Sequence, residues 1–165
     1  MGLLTDLLGD GNGTSDPLWV PASRFQANFG SPTLNATAGA PGWLLDAAAT
    51  EVVVALEDIP SNWPTVDIDL WWTNISGGGA GNVVWNFRYA WMRDGDDLTA
   101  GETNLGNLTA AAPAAFVTEV TAMASAVVPV AGERMRFSIR RVGGDAADTL
   151  ANDCSMLGMA VRPTP

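Results

Sequence analysis

The sequence predicts an all-β protein: a two-sheet jelly-roll or Greek-key sandwich of about eight strands, preceded by an extended N-terminal arm. Three observations lead there. Short apolar segments alternate throughout with Gly, Pro and Asp clusters, the spacing of sandwich strands and their turns. Two segments alternate residue by residue between two faces, the period of a strand rather than a helix. No long stretch combines helical periodicity with capping residues.

Met1–Pro17 reads MGLLTDLLGDGNGTSDP, in which Leu3, Leu4, Leu7 and Leu8 form a short amphipathic anchor and Gly9–Asp16 its tether. Burying these leucines returns roughly 6–12 kcal/mol gross. Fixing the backbone of about sixteen residues costs on the order of 16–32 kcal/mol. The arm therefore needs further contacts, by backbone pairing or by docking on a neighbouring subunit; without them it frays as free termini do.

From Leu18 the chain reads as one domain, 18–165. Strands are expected at Leu18–Phe25, Trp43–Asp46, Glu51–Glu57, Val66–Thr73, Val83–Met92, Phe116–Val128, Arg134–Val142 and Ser155–Arg162. In Val66–Thr73 the residues Val66, Ile68, Leu70 and Trp72 share one face and Asp67, Asp69, Trp71 and Thr73 the other. In Val83–Met92 the apolar face is Val83, Trp85, Phe87, Tyr89 and Trp91, opposite Asn86, Arg88 and Ala90. The intervening Gly77-Gly78-Gly79 suggests a hairpin with a long tip. Phe116–Val128 is read as strand rather than helix because of its Thr and Val content and its flanking Pro113 and Pro129.

Composition narrows function. A 165-residue chain that is 47% apolar with seven tryptophans can build a core without staples and is not a disordered segment. Its net charge is −10, and all eight basic residues are arginine. That balance argues against nucleic-acid binding, which needs a cationic surface. The lack of histidine removes the commonest general base and metal ligand. Cys154 is the lone cysteine, so neither a disulfide nor a zinc cluster is expected, and it reads as a small buried hydrophobe. The N-terminus has neither the basic region of a signal peptide nor an apolar stretch long enough to span a membrane. Asn12, Asn35, Asn74 and Asn107 open N-x-S/T triplets that are read as polar loops.

Asp67 and Asp69 lie two apart on one strand face, a spacing that invites comparison with the carboxylate pair of a glycosidase. A solvated face is the simpler reading, and no catalytic residue, cofactor or metal is assigned. Asp94, Asp96 and Asp97, and likewise Asp145, Asp148 and Asp153, are read as turn builders rather than calcium ligands. Trp63 and Trp71 are candidate contacts for a neighbouring subunit or a sugar ring, with the subunit preferred. Arg134, Arg136 and Arg140 share one strand face, either docking an acidic partner or balanced by cross-strand carboxylates.

The segments LWVPASRF (Leu18–Phe25), WLLDAAATEVVVALEDIPSNW (Trp43–Trp63), VDIDLWWT (Val66–Thr73), GNVVWNFRY (Gly81–Tyr89) and RFSIRRVGGDAADTLANDCSMLGMAVR (Arg136–Arg162) together resemble small jelly-roll surface proteins of tailed-bacteriophage virions. The resemblance implies a structural protein, homotrimeric, assembled in the host cytoplasm and displayed on the virion surface. With a compact domain and an anchoring arm, it implies a capsid decoration protein bound to the major capsid protein or another virion protein. The alternative is a glycan-binding tail-fibre or receptor-binding module acting through Trp63 or Trp71. A weaker one is a glycosidase using Asp67 and Asp69.

Overall fold

The computed structural model describes residues 16–37, 40–76, 80–97 and 101–165. The anchor leucines Leu3, Leu4, Leu7 and Leu8 and the Gly77–Gly79 tip lie outside the described residues. The body is the all-β sandwich that the alternation predicts, with two sheets of antiparallel strands. Among the described residues eleven strands form: β1 (Leu18–Pro21), β2 (Gln26–Phe29), β3 (Thr33–Thr37), β4 (Ala40–Leu45), β5 (Thr50–Asp58), β6 (Val66–Asn74), β7 (Asn82–Met92), β8 (Thr103–Ala111), β9 (Thr118–Val127), β10 (Arg134–Val142) and β11 (Cys154–Pro163). The six-stranded sheet runs β3-β4-β11-β6-β9 with β1 also paired to β11, and the five-stranded sheet runs β2-β5-β10-β7-β8.

Three features depart from expectation. The segment Leu18–Phe25 is not one strand: after Pro21 a 3₁₀ turn, Ala22–Arg24, carries the chain from one sheet to the other. Ala22 and Phe25 are buried at this corner, and the Trp43 indole Nε1–H donates to the Ala22 carbonyl at 2.8 Å. Second, β6 and β7 are not a hairpin. They lie in opposite sheets, each between two other strands, and their apolar faces meet across the core, with Trp72 and Trp85 packed edge to face at 5.3 Å. Third, β2, β3 and β8 carry no alternation that would announce them, because each is an edge strand. Side chains along β2 and most of β8 are exposed.

The core follows the pleat. Val66, Ile68, Leu70 and Trp72 from β6 face Val83, Trp85 and Phe87 from β7 and Met135, Phe137 and Ile139 from β10. On β11 the inward set changes from even to odd numbers, Cys154 and Met156 giving way to Met159 and Val161. The register shift between Met156 and Gly158 causes the change, since one extra residue turns every later side chain to the other face. β4 and β1 pair with β11 before and after this bulge, so they share one of its edges end to end.

The inward parity of β10 does not stop at Ile139. Arg141 is the next member, and its side chain and that of Asp148 are both 0% exposed. The guanidinium uses all five N–H groups: Nε and Nη2 bond the two Asp148 oxygens at 3.1 and 2.9 Å, and the remaining donors reach the carbonyls of Leu45, Asn152 and Leu150 at 2.8–3.0 Å. Asp148 Oδ2 also accepts from the Val84 backbone N–H at 3.1 Å. One buried ion pair thus ties together β4, β7, β10 and the 143–153 connection. Nearby, buried Glu51 accepts from the backbone N–H groups of Ser31 and Asp46, fixing two more turns.

Removing one partner of a buried pair strands the other, at a cost of about 3–5 kcal/mol. Arg141→Met is therefore expected to lower the melting temperature by roughly 6–20 °C for a chain of this size, and Arg141→Met combined with Asp148→Leu to recover part of the loss; differential scanning calorimetry checks both. Burial pushes the Cys154 thiol up to about 12. Because the folded value lies above the ordinary 9.0, this contribution to stability is intact below pH 9 and is lost as pH rises towards 12. A thiol reagent at neutral pH is expected to label Cys154 only as fast as the protein unfolds.

Candidate functional site

The outer face of the six-stranded sheet carries an exposed aromatic pair. In β1 the inward turn of Val20 sends Trp19 outward, and in β6 the inward set from Val66 to Trp72 sends Trp71 outward. Trp19 is 45% and Trp71 38% exposed, and their rings meet edge to face with centroids 5.6 Å apart. Gly158 provides the seat between them. It lies opposite both Pro21 and Trp71 at the β11 bulge, with φ +153, and a Cβ there would come within 2.7 Å of the Trp19 ring. Val120, directly across from Trp71 on β9, extends the apolar surface and is also exposed.

Beside the tryptophans runs a charged strip. Arg162 lies opposite Asp67 in register; its Nε donates to Asp69 Oδ2 at 3.0 Å and its Nη1 lies 3.7 Å from Asp67 Oδ2. Asp67 Oδ1 accepts from the Ala126 backbone N–H at 3.1 Å and from the Thr164 hydroxyl at 2.9 Å. Ala126 has a positive φ of 53, where the β6–β9 register slips, so Asp67 holds a bulge in place. The Ala126 N–H above all, then the Thr164 hydroxyl and the Arg162 charge, hold the Asp67 carboxyl below its ordinary 3.8. A glycosidase acid needs the opposite, a carboxyl that keeps its proton towards neutrality. Asp67 and Asp69 are built into an ion cluster with Arg162.

The outer face of the five-stranded sheet collects arginines. Arg134, Arg136 and Arg140 share a face of β10, as the spacing predicts, and Arg88 of β7 joins them opposite Ser138. The Glu102 carboxylate sits among three guanidiniums, 2.7 Å from Arg136, 3.0 Å from Arg140 and 3.9 Å from Arg88. Burial, then the like charge of Arg88, hold the Arg140 guanidinium below its ordinary value. Arg134 pairs with Asp58 at 3.2 Å. Part of the arginine ladder is thus balanced by carboxylates of the same chain, one cross-strand and one from the segment before β8.

The remaining sequence candidates scatter. Trp63 is partly buried against the core, and its backbone N–H closes a turn onto the Pro60 carbonyl. The acidic loops serve their own backbone and side chains: Asp96 accepts from the Arg93 N–H, Asp145 from Ala147 N–H and Asn107 Nδ2, Asp153 from Ala47 N–H, and Asp148 is bound to Arg141. Sequence reasoning missed Trp19 and Arg141, although period-two counting outward from Val20 and Ile139 finds each.

No protein-family model matches the chain, and no curated protein matches it. Solved structures share the fold. The CBM22-2 xylan-binding domain of Xyn10C from Paenibacillus barcinonensis superposes with a TM-score of 0.54 at 10% identity, over 89% of this chain and 99% of that one. The CBM22-1–CBM22-2 tandem of the same protein gives 0.56 at 12% identity, over 89% of this chain and 50% of the tandem. The insecticidal delta-endotoxin Cry8Ea1 of Bacillus thuringiensis gives 0.57 at 9% identity, over 90% of this chain but only 24% of the toxin. At such identities the likeness is one of β-sandwich fold.

Asp67→Asn removes the charge that anchors the β9 bulge and is expected to lower stability by about 1 kcal/mol. Because the folded carboxyl lies below its ordinary 3.8, its contribution is present above that pH and disappears as pH falls through the folded value. Acid titration of the wild type and the variant, followed by circular dichroism, should show the two curves converging at low pH.

Proposed function

We propose that the domain is a non-catalytic carbohydrate-binding module that holds a glycan against the Trp19–Trp71 face. The carrying observation is that aromatic pair, open to solvent on a rigid sheet. Indole rings bury large apolar area at low entropic cost, and the C–H face of a sugar ring is the complementary surface. The neighbouring Asp69 and Arg162 supply acceptors and donors for hydroxyl groups at the platform's edge. Support of a different kind comes from the xylan-binding domain that shares the sandwich. With Asp67 tied into the β9 bulge, the face offers grip rather than chemistry.

On this reading the resemblance to virion surface proteins points to the receptor-binding alternative, a module that recognises a glycan. The decoration role rests on the anchor leucines Leu3, Leu4, Leu7 and Leu8, whereas glycan binding rests on residues of the sandwich itself.

Affinity electrophoresis against a panel of polysaccharides that includes xylan is expected to show retardation by at least one of them. Trp19→Ala and Trp71→Ala should each weaken it by about 1–2 kcal/mol, or five- to thirtyfold, while circular dichroism shows each variant still folded at the assay temperature. Absence of any retarding glycan, or undiminished retardation in the double variant, contradicts the proposal. So does a trimer in sedimentation equilibrium that dissociates on the same substitutions, since the pair would then be a subunit contact.

A further inference from the structure

Free edges of the two sheets come together on one flank of the sandwich. β9 ends the six-stranded sheet and β8 the five-stranded one, the two strands touch, and among the described residues no strand pairs with the outer edge of either. An open edge is a template for another strand, and proteins ordinarily blunt it with charge, above all with lysine. This flank has almost none. Of the chain's 18 acidic and 8 basic residues, only Glu119 falls within Thr103–Gly132, the segment that supplies both strands.

The flank is apolar as well as uncharged, since Leu105, Leu108, Phe116 and Val117 are all exposed. Leu108 stands opposite Trp85, on the core side of its sheet, yet is 39% exposed, so the sandwich is open along β8. Phe116 holds a left-handed backbone, φ +60, that an aromatic residue seldom adopts. Its N–H is fixed on the Asn74 carbonyl, and its side chain lies in solvent. Gly106, φ +85, bulges the front of β8, but from Asn107 to Ala111 the register with β7 is unbroken.

We propose that this flank is the interface with a second copy of the chain, related by a two-fold axis normal to the sheets that sets β8 antiparallel to its own equivalent. Three considerations fix this occupant. Copies of net charge −10 repel one another, and an uncharged flank is where they can meet. Strand directions alternate through each sheet, so its first and last strands run the same way. Like-oriented copies joined in a row would therefore pair in parallel, whereas a two-fold gives the more stable antiparallel ladder. The size also suffices. The nine-residue β8 spans about 30 Å, and two sheets about 10 Å apart with their side chains make a flank roughly 20 Å deep. About 600 Å² from each copy reaches the lower end of specific interfaces. The same axis leaves both Trp19–Trp71 pairs facing one way, so that, on the glycan reading, one polymer meets two sites. That consequence rests on the glycan reading; the dimer does not.

Sedimentation equilibrium of the full chain from about 1 to about 200 µM tests this, because an interface of this area holds in the micromolar range. The expected result is a dimer that dissociates on dilution. Leu105→Lys and Val117→Lys each put a charge on the flank and should raise the dissociation constant at least about tenfold. Phe116→Asn, whose side chain suits a left-handed backbone, should keep the fold, as circular dichroism checks, and weaken the dimer as well. Phe29→Lys, an exposed position on β2 at the opposite flank, and the Trp19→Ala, Trp71→Ala double variant should dimerise as the wild type does. No glycan enters the experiment, so its failure leaves the carbohydrate reading standing. The proposal is overturned by a monomer throughout the range, by a trimer, by a dimer indifferent to all three flank substitutions, or by a dimer lost in Phe29→Lys or in the tryptophan double variant.

Discussion

The sandwich depends most on one charged group placed where an apolar one is expected. Arg141 continues the inward row of Met135, Phe137 and Ile139, yet ends as a guanidinium with every N–H occupied. Desolvating an arginine and an aspartate is costly, and only complete hydrogen bonding makes the arrangement tolerable. That demand is also what organises this end of the molecule. The carbonyls of Leu45, Leu150 and Asn152 and the N–H of Val84 have to converge on the pair, so the 143–153 connection is held against both sheets. The acidic residues that read as turn builders contribute Asp148 to this knot, and Cys154, at the start of β11, is buried beside it.

With its end pinned, the sandwich can present two outer faces of contrasting chemistry. One is aromatic, edged by the Asp67–Asp69–Arg162 strip; the other is lined with arginine around Glu102. Both rest on the pleat. A residue that faces outward on a strand buried on its other side is rigidly carried, since its neighbours at i±1 are locked in the core. Trp19 and Trp71 stand beside Val20, Leu70 and Trp72, and Arg136 and Arg140 beside Met135, Phe137, Ile139 and Arg141. Such placement limits the entropy that a bound ligand would otherwise have to remove.

Fold class and core were legible in the sequence because alternation is strongest where a strand has one buried face. β6, β7 and β10 announced themselves in this way. The edge strands β2, β3 and β8 did not, because pairing on one side and solvent on the other leave little constraint on residue type, as Thr103–Ala111 illustrates. Which sheet each strand joins was not legible either. The expectation of a β6–β7 hairpin relied on proximity in sequence, whereas pairing was decided by β11 and β10, which fill the adjacent positions. On the site side, Trp71 and the arginine row could be read from period two. The partnership of Trp19 with Trp71 needed the β11 bulge at Gly158, a local register shift with no periodic signature. Glu102 reaching three arginines is a long-range contact of the same kind.

The most direct measurement of the central claim is a titration of the protein with xylo-oligosaccharide, or with the glycan that retards it most, followed through the indole N–H resonances in two-dimensional NMR. The expected result is a saturable shift of the Trp19 and Trp71 signals, while those of buried Trp72 and Trp85 stay in place. Saturation with the Trp19 and Trp71 resonances unmoved would contradict the account and place the ligand elsewhere on the fold.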